Sequence, residues 1–118
     1  MLLAVDVGNT QTVYGVFDDS RLAEHYRVAT ERRKTADELY VLISALLDLD
    51  VVDGVCLSST VPALAREYAG FADRAGLPTL VLGPGVSTGI ALRYDDPALS
   101  AEALAERMRE TLSSDDAE

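Results

Sequence analysis

The sequence predicts one α/β domain built on a mixed five-stranded sheet in the order 3-2-1-4-5, with helices on both faces. Three observations predict it. Three β-rich runs follow one another between residues 2 and 30 with only turn signals between them, which is the pattern of an antiparallel meander. From residue 35 onward helical and extended segments alternate, the pattern of strand–helix–strand crossovers. Leu2-Leu3-Ala4-Val5 and the run from Gly54 to Ser58 lack polar alternation, as strands buried on both faces do. Right-handed crossovers then set strands four and five beside strand one.

The first strand, Leu2 to Val5, runs into Asp6-Val7-Gly8-Asn9-Thr10-Gln11-Thr12. Gly8 and Asn9 tolerate positive φ, so the pair predicts a tight two-residue turn into the second strand, Val13 to Phe17. An acid at a strand end, a Gly-Asn turn and two threonines make a tip rich in donors. Successive backbone N–H groups at such a tip can converge on an anion, with Asn and Thr side chains adding donors. Asp6 would then lie beside phosphates, where a carboxylate serves to hold Mg²⁺. The plainer reading is an ordinary hairpin whose Asp and Thr cap the turn, and both readings stand at this point. Asp18-Asp19-Ser20 is a second turn. Arg21 to Thr30 is an outer strand with Leu22, Tyr26 and Val28 as its apolar positions, and His25 within it is a surface residue. Glu31-Arg32-Arg33-Lys34 is a dense basic patch, read as a solvated loop in preference to a contact with an anionic ligand.

Thr35-Ala36-Asp37-Glu38 fits a capping box, with Thr at the N-cap and Glu at N3. Leu39, Leu42, Ile43, Leu46 and Leu47 behind it form a helical stripe that packs on a sheet. Cys56 is a small core residue of strand four. Ser58-Ser59-Thr60-Val61-Pro62 closes that strand, and Pro62 suits the first position of the next helix. The three hydroxyls either line a ligand cleft at the carboxyl ends of the parallel strands or are local caps. Leu64, Ala65, Tyr68, Ala69, Phe71 and Ala72 give the helix its inner face, and Gly76 ends it. Pro78 to Leu82 is a fifth strand. Gly83 to Gly89 lacks the spacing of a P-loop or a dinucleotide fingerprint and is a shaped connection. Ile90 to Tyr94 is extended. Asp96 and Pro97 open a last helix to Leu112, and 113–118 are a frayed acidic tail.

At 118 residues the chain is one domain's worth, and 48% hydrophobic with 25% charged residues is ordinary for a soluble globular protein. A net charge of −10 argues against a nucleic-acid or anionic-membrane partner, since phosphate-backbone affinity needs a basic face. The single cysteine cannot close an internal disulfide. With no apolar run near the ~18 residues of a membrane span and no signal-peptide pattern, the expectation is a cytoplasmic protein.

A meander followed by two parallel crossovers is the ribonuclease H-like half-fold, which actin-like ATPases and sugar kinases use twice. In that architecture the tip between strands one and two holds nucleotide phosphates. Met1 to Thr12 resembles the start of type III pantothenate kinases, the group that includes Bvg accessory factors. Thr30 to Glu38, Ser58 to Pro62, Gly83 to Gly89 and Arg93-Tyr94-Asp95-Asp96-Pro97 are similar to further motifs of that family, in the same order. The resemblance implies ATP-dependent phosphorylation of pantothenate, the first step of coenzyme A synthesis, with Mg²⁺ and a monovalent cation (K⁺ or NH₄⁺). It implies that Asp6, Val7, Gly8, Asn9, Thr10, Gln11, Thr12 and Val13 form the ATP-phosphate segment, with Asp6 toward the metal. Tyr94 matches a pantothenate-contacting tyrosine.

The resemblance then ends. The family's Gly-Ala-Asp-Arg motif, whose Asp is the catalytic base, falls on Ala101, Glu102, Ala103 and Leu104. Ala103 thus stands at the base position, and Glu102 beside it points about 100° away on a helix. The second actin-like domain has no counterpart in these residues. Phosphoryl transfer rests on positioning and charge stabilisation around the phosphates, so the expectation is an N-terminal half of a pantothenate kinase with no useful kinase activity by itself. The alternative is a non-enzymatic half-domain, natural or engineered, that self-associates as a homodimer or scaffold. A nuclease is disfavoured, since two-metal chemistry needs several converging carboxylates and only Asp6 lies at the right strand end.

Overall fold

The computed structural model describes residues 1–19 and 21–82. In chain order the elements are β1 (Leu2–Val7), β2 (Gln11–Asp18), β3 (Arg21–Ala29), α1 (Ala36–Leu46), a 3₁₀ turn at Leu49–Val51, β4 (Gly54–Ser59), α2 (Pro62–Arg74) and β5 (Thr79–Leu82). They form one sheet in the order β3-β2-β1-β4-β5, as the sequence predicts. β1 pairs antiparallel with β2, from Leu2 opposite Phe17 to Val7 opposite Thr12, and parallel with β4, from Leu2 beside Gly54 to Val7 beside Ser59. The predicted Gly83–Gly89 connection, the Ile90–Tyr94 strand, the Pro97–Leu112 helix and the tail lie outside the described residues, as do Tyr94 and Ala103.

Helix α1 starts where its sequence dictates. The Thr35 hydroxyl accepts from the Glu38 N–H at 3.2 Å while the Glu38 carboxylate accepts from the Thr35 N–H at 3.2 Å, so the capping box is closed both ways. Helix α2 has Pro62 at its first turn and ends at Ala75, with Gly76 beyond it at φ 71°. That left-handed conformation favours glycine because a Cβ there crowds the backbone. The 3₁₀ turn before β4 carries no clear sequence signal.

Leu3, Val5 and Val7 of β1, Tyr14 and Val16 of β2, and Val55 and Leu57 of β4 share one sheet face. Leu39 and Ile43 of α1 and Leu64, Tyr68, Phe71 and Ala72 of α2 pack onto that face. Among the described residues, then, both helices lie on one side, and the third helix that the both-faces expectation also counts, Pro97–Leu112, lies outside the described residues. The physical reason is the direction of travel. The β3–α1–β4 and β4–α2–β5 connections both carry the chain the same way across the sheet, and crossovers of one hand then lie over the same face. The opposite face, with Leu2, Phe17 and Cys56, is buried as well. Cys56, 1% exposed, sits in β4 as the small core residue expected.

Candidate functional site

The site is built where β1 leaves the sheet. β1 is the central strand, and its carboxyl end passes through Gly8, Asn9 and Thr10 into β2. The turn differs from the sequence reading. The Gly8 N–H donates to the Gln11 carbonyl at 2.9 Å, so Gly8 and Gln11 close the hairpin and its central pair is Asn9-Thr10, not Gly8-Asn9. Neither Gly8 nor Asn9 has a positive φ. Gly8 is needed for a different reason: a Cβ there would lie 2.9 Å from the Gln11 carbonyl oxygen, closer than real Cβ contacts allow.

Asn9, Thr10 and Gln11 are exposed. The backbone N–H groups of Asn9 and Thr10 donate to no acceptor among the described residues. Two consecutive free amides on a sharp turn, with a hydroxyl and a carboxamide beside them, are the ingredients of an anion cradle.

Beneath the tip the polar groups are all engaged. Thr12, 1% exposed, lies with its hydroxyl 2.8 Å from that of Thr30, and the Thr30 hydroxyl donates to the Gly8 carbonyl at 2.8 Å. The Thr30 N–H also donates to the Thr10 carbonyl at 2.8 Å. Thr12 hydrogen-bonds on its other side to Tyr68 of α2, whose phenol lies 2.6 Å from that of Tyr14 on β2. A chain of hydroxyls therefore runs from α2 through the core to the turn. Burial pushes the Tyr14 phenol well above its usual range, with Tyr68 adding to the rise. Tyr68 is also raised by burial, against hydrogen bonds with Tyr14 and Thr12 that lower it. Both phenols stay neutral and act as hydrogen-bonding struts.

The expected site residues thus divide. Val7 and Val13 are buried apolar side chains, so only their backbones face the site, and Thr12 is spent on Thr30 and Tyr68. Asp6 is half-buried and lies between Val13 of β2 and Ser58 of β4, on the sheet face away from the helices. Among the described residues no three His, Cys, Asp or Glu side chains gather as a metal cage.

The neighbouring strand end is closed on itself. The Ser59 hydroxyl donates to the Val61 carbonyl and accepts from its N–H, each at 2.9 Å. Thr60 donates to the Val7 carbonyl from its N–H at 3.0 Å and its hydroxyl at 3.3 Å. These two hydroxyls are spent within the junction, Ser59 on Val61 ahead of α2 and Thr60 on the end of β1.

Two participants escaped sequence reasoning. In sequence Thr30 is the end of an outer strand, and only the sheet order brings it under Gly8. In sequence Arg32 belongs to a solvated loop, and in the fold its Nη2 donates to the Asn9 Oδ1 at 3.3 Å. No local pattern signals either contact, since 22 and 23 residues separate the partners. His25 lies on the exposed edge strand β3.

The fold and the tip define an α/β domain with a donor-bearing hairpin on its central strand. The same fold occurs in Thermus thermophilus RuvC, solved in complex with a Holliday junction substrate: the TM-score is 0.50 over 88% of this chain and 87% of that one, at 21% identity. The family model for type III pantothenate kinase matches residues 2–101. The type III pantothenate kinase of Frankia alni is 46% identical over 115 residues, covering 96% of this chain and 45% of that protein. That of Acidothermus cellulolyticus is 44% identical over 119 residues, again 96% and 45%. The chain belongs to the type III pantothenate kinase family. It spans a little under half the length of these relatives.

Proposed function

We propose that the β1–β2 tip is the phosphate-binding half of an ATP-dependent pantothenate kinase site, on a ribonuclease H-like domain of the actin-like superfamily. The observation that carries this reading is the pair of free N–H groups at Asn9 and Thr10, held on a turn whose every support is satisfied. Such a turn needs no reorganisation when an anion arrives, and preorganised donors are what phosphoryl transfer demands of a protein. The Thr10 hydroxyl and the Asn9 carboxamide add donors. Arg32 fixes the Asn9 side chain, and Thr30 fixes the turn from below. Asp6 would hold Mg²⁺, which neutralises phosphate charge when bound, with a monovalent cation as a further family expectation. Pantothenate as the acceptor, with Tyr94 at its pocket, and a cytoplasmic setting for coenzyme A synthesis follow from the family. No helix among the described residues is long and apolar enough to cross a membrane.

The 118-residue polypeptide by itself supplies donors on one side of the phosphates and carries Ala103 at the base position. It is therefore expected to bind MgATP without transferring phosphate. Calorimetric titration with MgATP tests this. Saturable heat that Asp6→Asn weakens supports the reading, absence of heat at millimolar MgATP sinks it, and pantothenate-dependent ADP release would overturn the inactivity.

A second reading, a self-associating module, draws on the outer face of α1. There Val41 is 69% exposed and with Leu42 and Ala45 lines a shallow pocket of about 540 Å³. Sedimentation of the chain and of Val41→Asp decides it: a dimer that Val41→Asp dissociates supports the module.

A further inference from the structure

A pocket of about 400 Å³ lies between the loop that joins β3 to α1 and the first turns of α2, walled by Arg32, Arg33, Lys34, Thr35, Ala63, Arg66 and Glu67. Sequence places Arg32, Arg33 and Lys34 together but leaves Arg66 more than thirty residues away. The fold brings it across from them. Four cations against the one acid Glu67 is a local reversal of sign in a chain of net charge −10.

These cations are poorly neutralised from within. Lys34 meets Glu38 at 4.0 Å, a pair exposed at both ends and so worth little. Arg33 and Arg66 form no ion pair with an acid among the described residues. The two ends of the pocket are also unlike. Asp37 and Glu38 sit in the first turn of α1, whereas the first turn of α2 has no acid and no side-chain cap. The Ala63 N–H, on the pocket wall, donates to no acceptor among the described residues. Guanidinium groups pair with phosphate oxygens two bonds at a time, and two walls of cations enclosing about 400 Å³ leave room for more than one phosphate.

We propose that this pocket is a second anion site, for a small molecule bearing a pyrophosphate group, gripped by Arg33 and Lys34 from the loop and by Arg66 from α2. It is separate from the β1–β2 tip and does not depend on the tip holding ATP. The two are joined by one contact, Arg32 to Asn9, so an anion in the pocket competes for Arg32 and changes how firmly Asn9 is held. The pocket would thereby sense a phosphorylated metabolite next to the phosphate-binding turn.

The test is amide NMR on the full chain with inorganic pyrophosphate, without Mg²⁺, at low salt. The expected result is saturable shifts at Arg33, Lys34, Ala63 and Arg66, weakened by added salt because the groups are exposed. Arg33→Glu/Arg66→Glu should weaken binding roughly tenfold or more while leaving the melting temperature unchanged. Should the double charge reversal disturb the fold, Arg66→Gln alone still has to weaken it measurably. Shifts confined to Gly8–Gln11 and untouched by these variants would overturn the proposal in favour of the tip alone. No saturable shift up to ~10 mM pyrophosphate, weaker than any useful affinity, would overturn it outright. Shifts at the pocket in a chain that gives no heat with MgATP would leave the proposal standing and remove the ATP reading instead.

Discussion

Two strand ends lie side by side at one edge of the sheet and use the same residue types to opposite effect. At the end of β4, Ser59 and Thr60 turn their hydroxyls back onto Val61 and Val7, so the junction consumes its own donors. At the end of β1, Thr12 and Thr30 consume theirs below the turn, and the N–H groups of Asn9 and Thr10 are left over. The lesson is that a hydroxyl-rich strand end is not by that fact a ligand site. What distinguishes the tip is that its supports are satisfied and its donors are not.

The severest way to break the tip is from beneath, through the Tyr14–Tyr68 pair that roots it in α2. An unfolded tyrosine ionises near pH 10, and burial raises both phenols in the fold. The folded state therefore holds its phenolic protons more tightly than the unfolded chain. That stability is fully present below about pH 10 and is lost as pH rises beyond it. The loss deepens with each pH unit above 10, because the unfolded phenols ionise while the buried Tyr14 and Tyr68 phenols resist. Urea melts between pH 8 and 12 should show this fall, and Tyr14→Phe should make the alkaline limb shallower. An equally steep limb in Tyr14→Phe would mean that other groups govern it.

Gly8→Ala attacks the turn directly. The new Cβ meets the Gln11 carbonyl, a backbone atom that can yield only if the hairpin opens. Overpacking of this kind costs typically 1–3 kcal/mol. The expected outcome is a lower melting temperature and no detectable MgATP heat. Retention of both would show that the turn relaxes freely and is no preorganised cradle.

The strand order and the capping box of α1 were legible because their causes are local: apolar runs, spacing within two turns of helix, and a Thr–Glu pair three residues apart. That α1 and α2 share one face depends on the direction of two crossovers, not on either helix's own pattern. The tip was recognised as a turn, but its central pair was misplaced by one residue. Gly-Asn signals positive φ, whereas here Gly8 is required by the nearness of a carbonyl that only the closed hairpin creates. Thr30 under Gly8, Arg32 on Asn9 and Arg66 facing the basic loop are products of tertiary folding, and no periodicity announces them.

Thr30→Val sharpens the comparison with a smaller effect. It strips the Gly8 carbonyl and the Thr12 hydroxyl of a partner at part-buried positions while keeping volume, so the cost is about 1–2 kcal/mol. Amide exchange at Gly8 should quicken, and MgATP affinity should fall with it. A loss of stability with affinity unchanged would confine Thr30 to folding.

Ser59→Ala is the counterpart at the closed strand end and carries the smallest expected effect. It removes two local hydrogen bonds to Val61, one of them the N–H just before Pro62, for about 0.5–1 kcal/mol. Because Ser59 spends its hydroxyl within its own junction, MgATP titration of this variant should match the unmodified chain, while Thr30→Val, only modestly more costly to the fold, should not. The pair separates support of a site from support of a fold at nearly equal loss of stability. Should Ser59→Ala weaken nucleotide binding as much as Thr30→Val does, the β4–α2 junction belongs to the binding surface, and the distinction between the two strand ends fails.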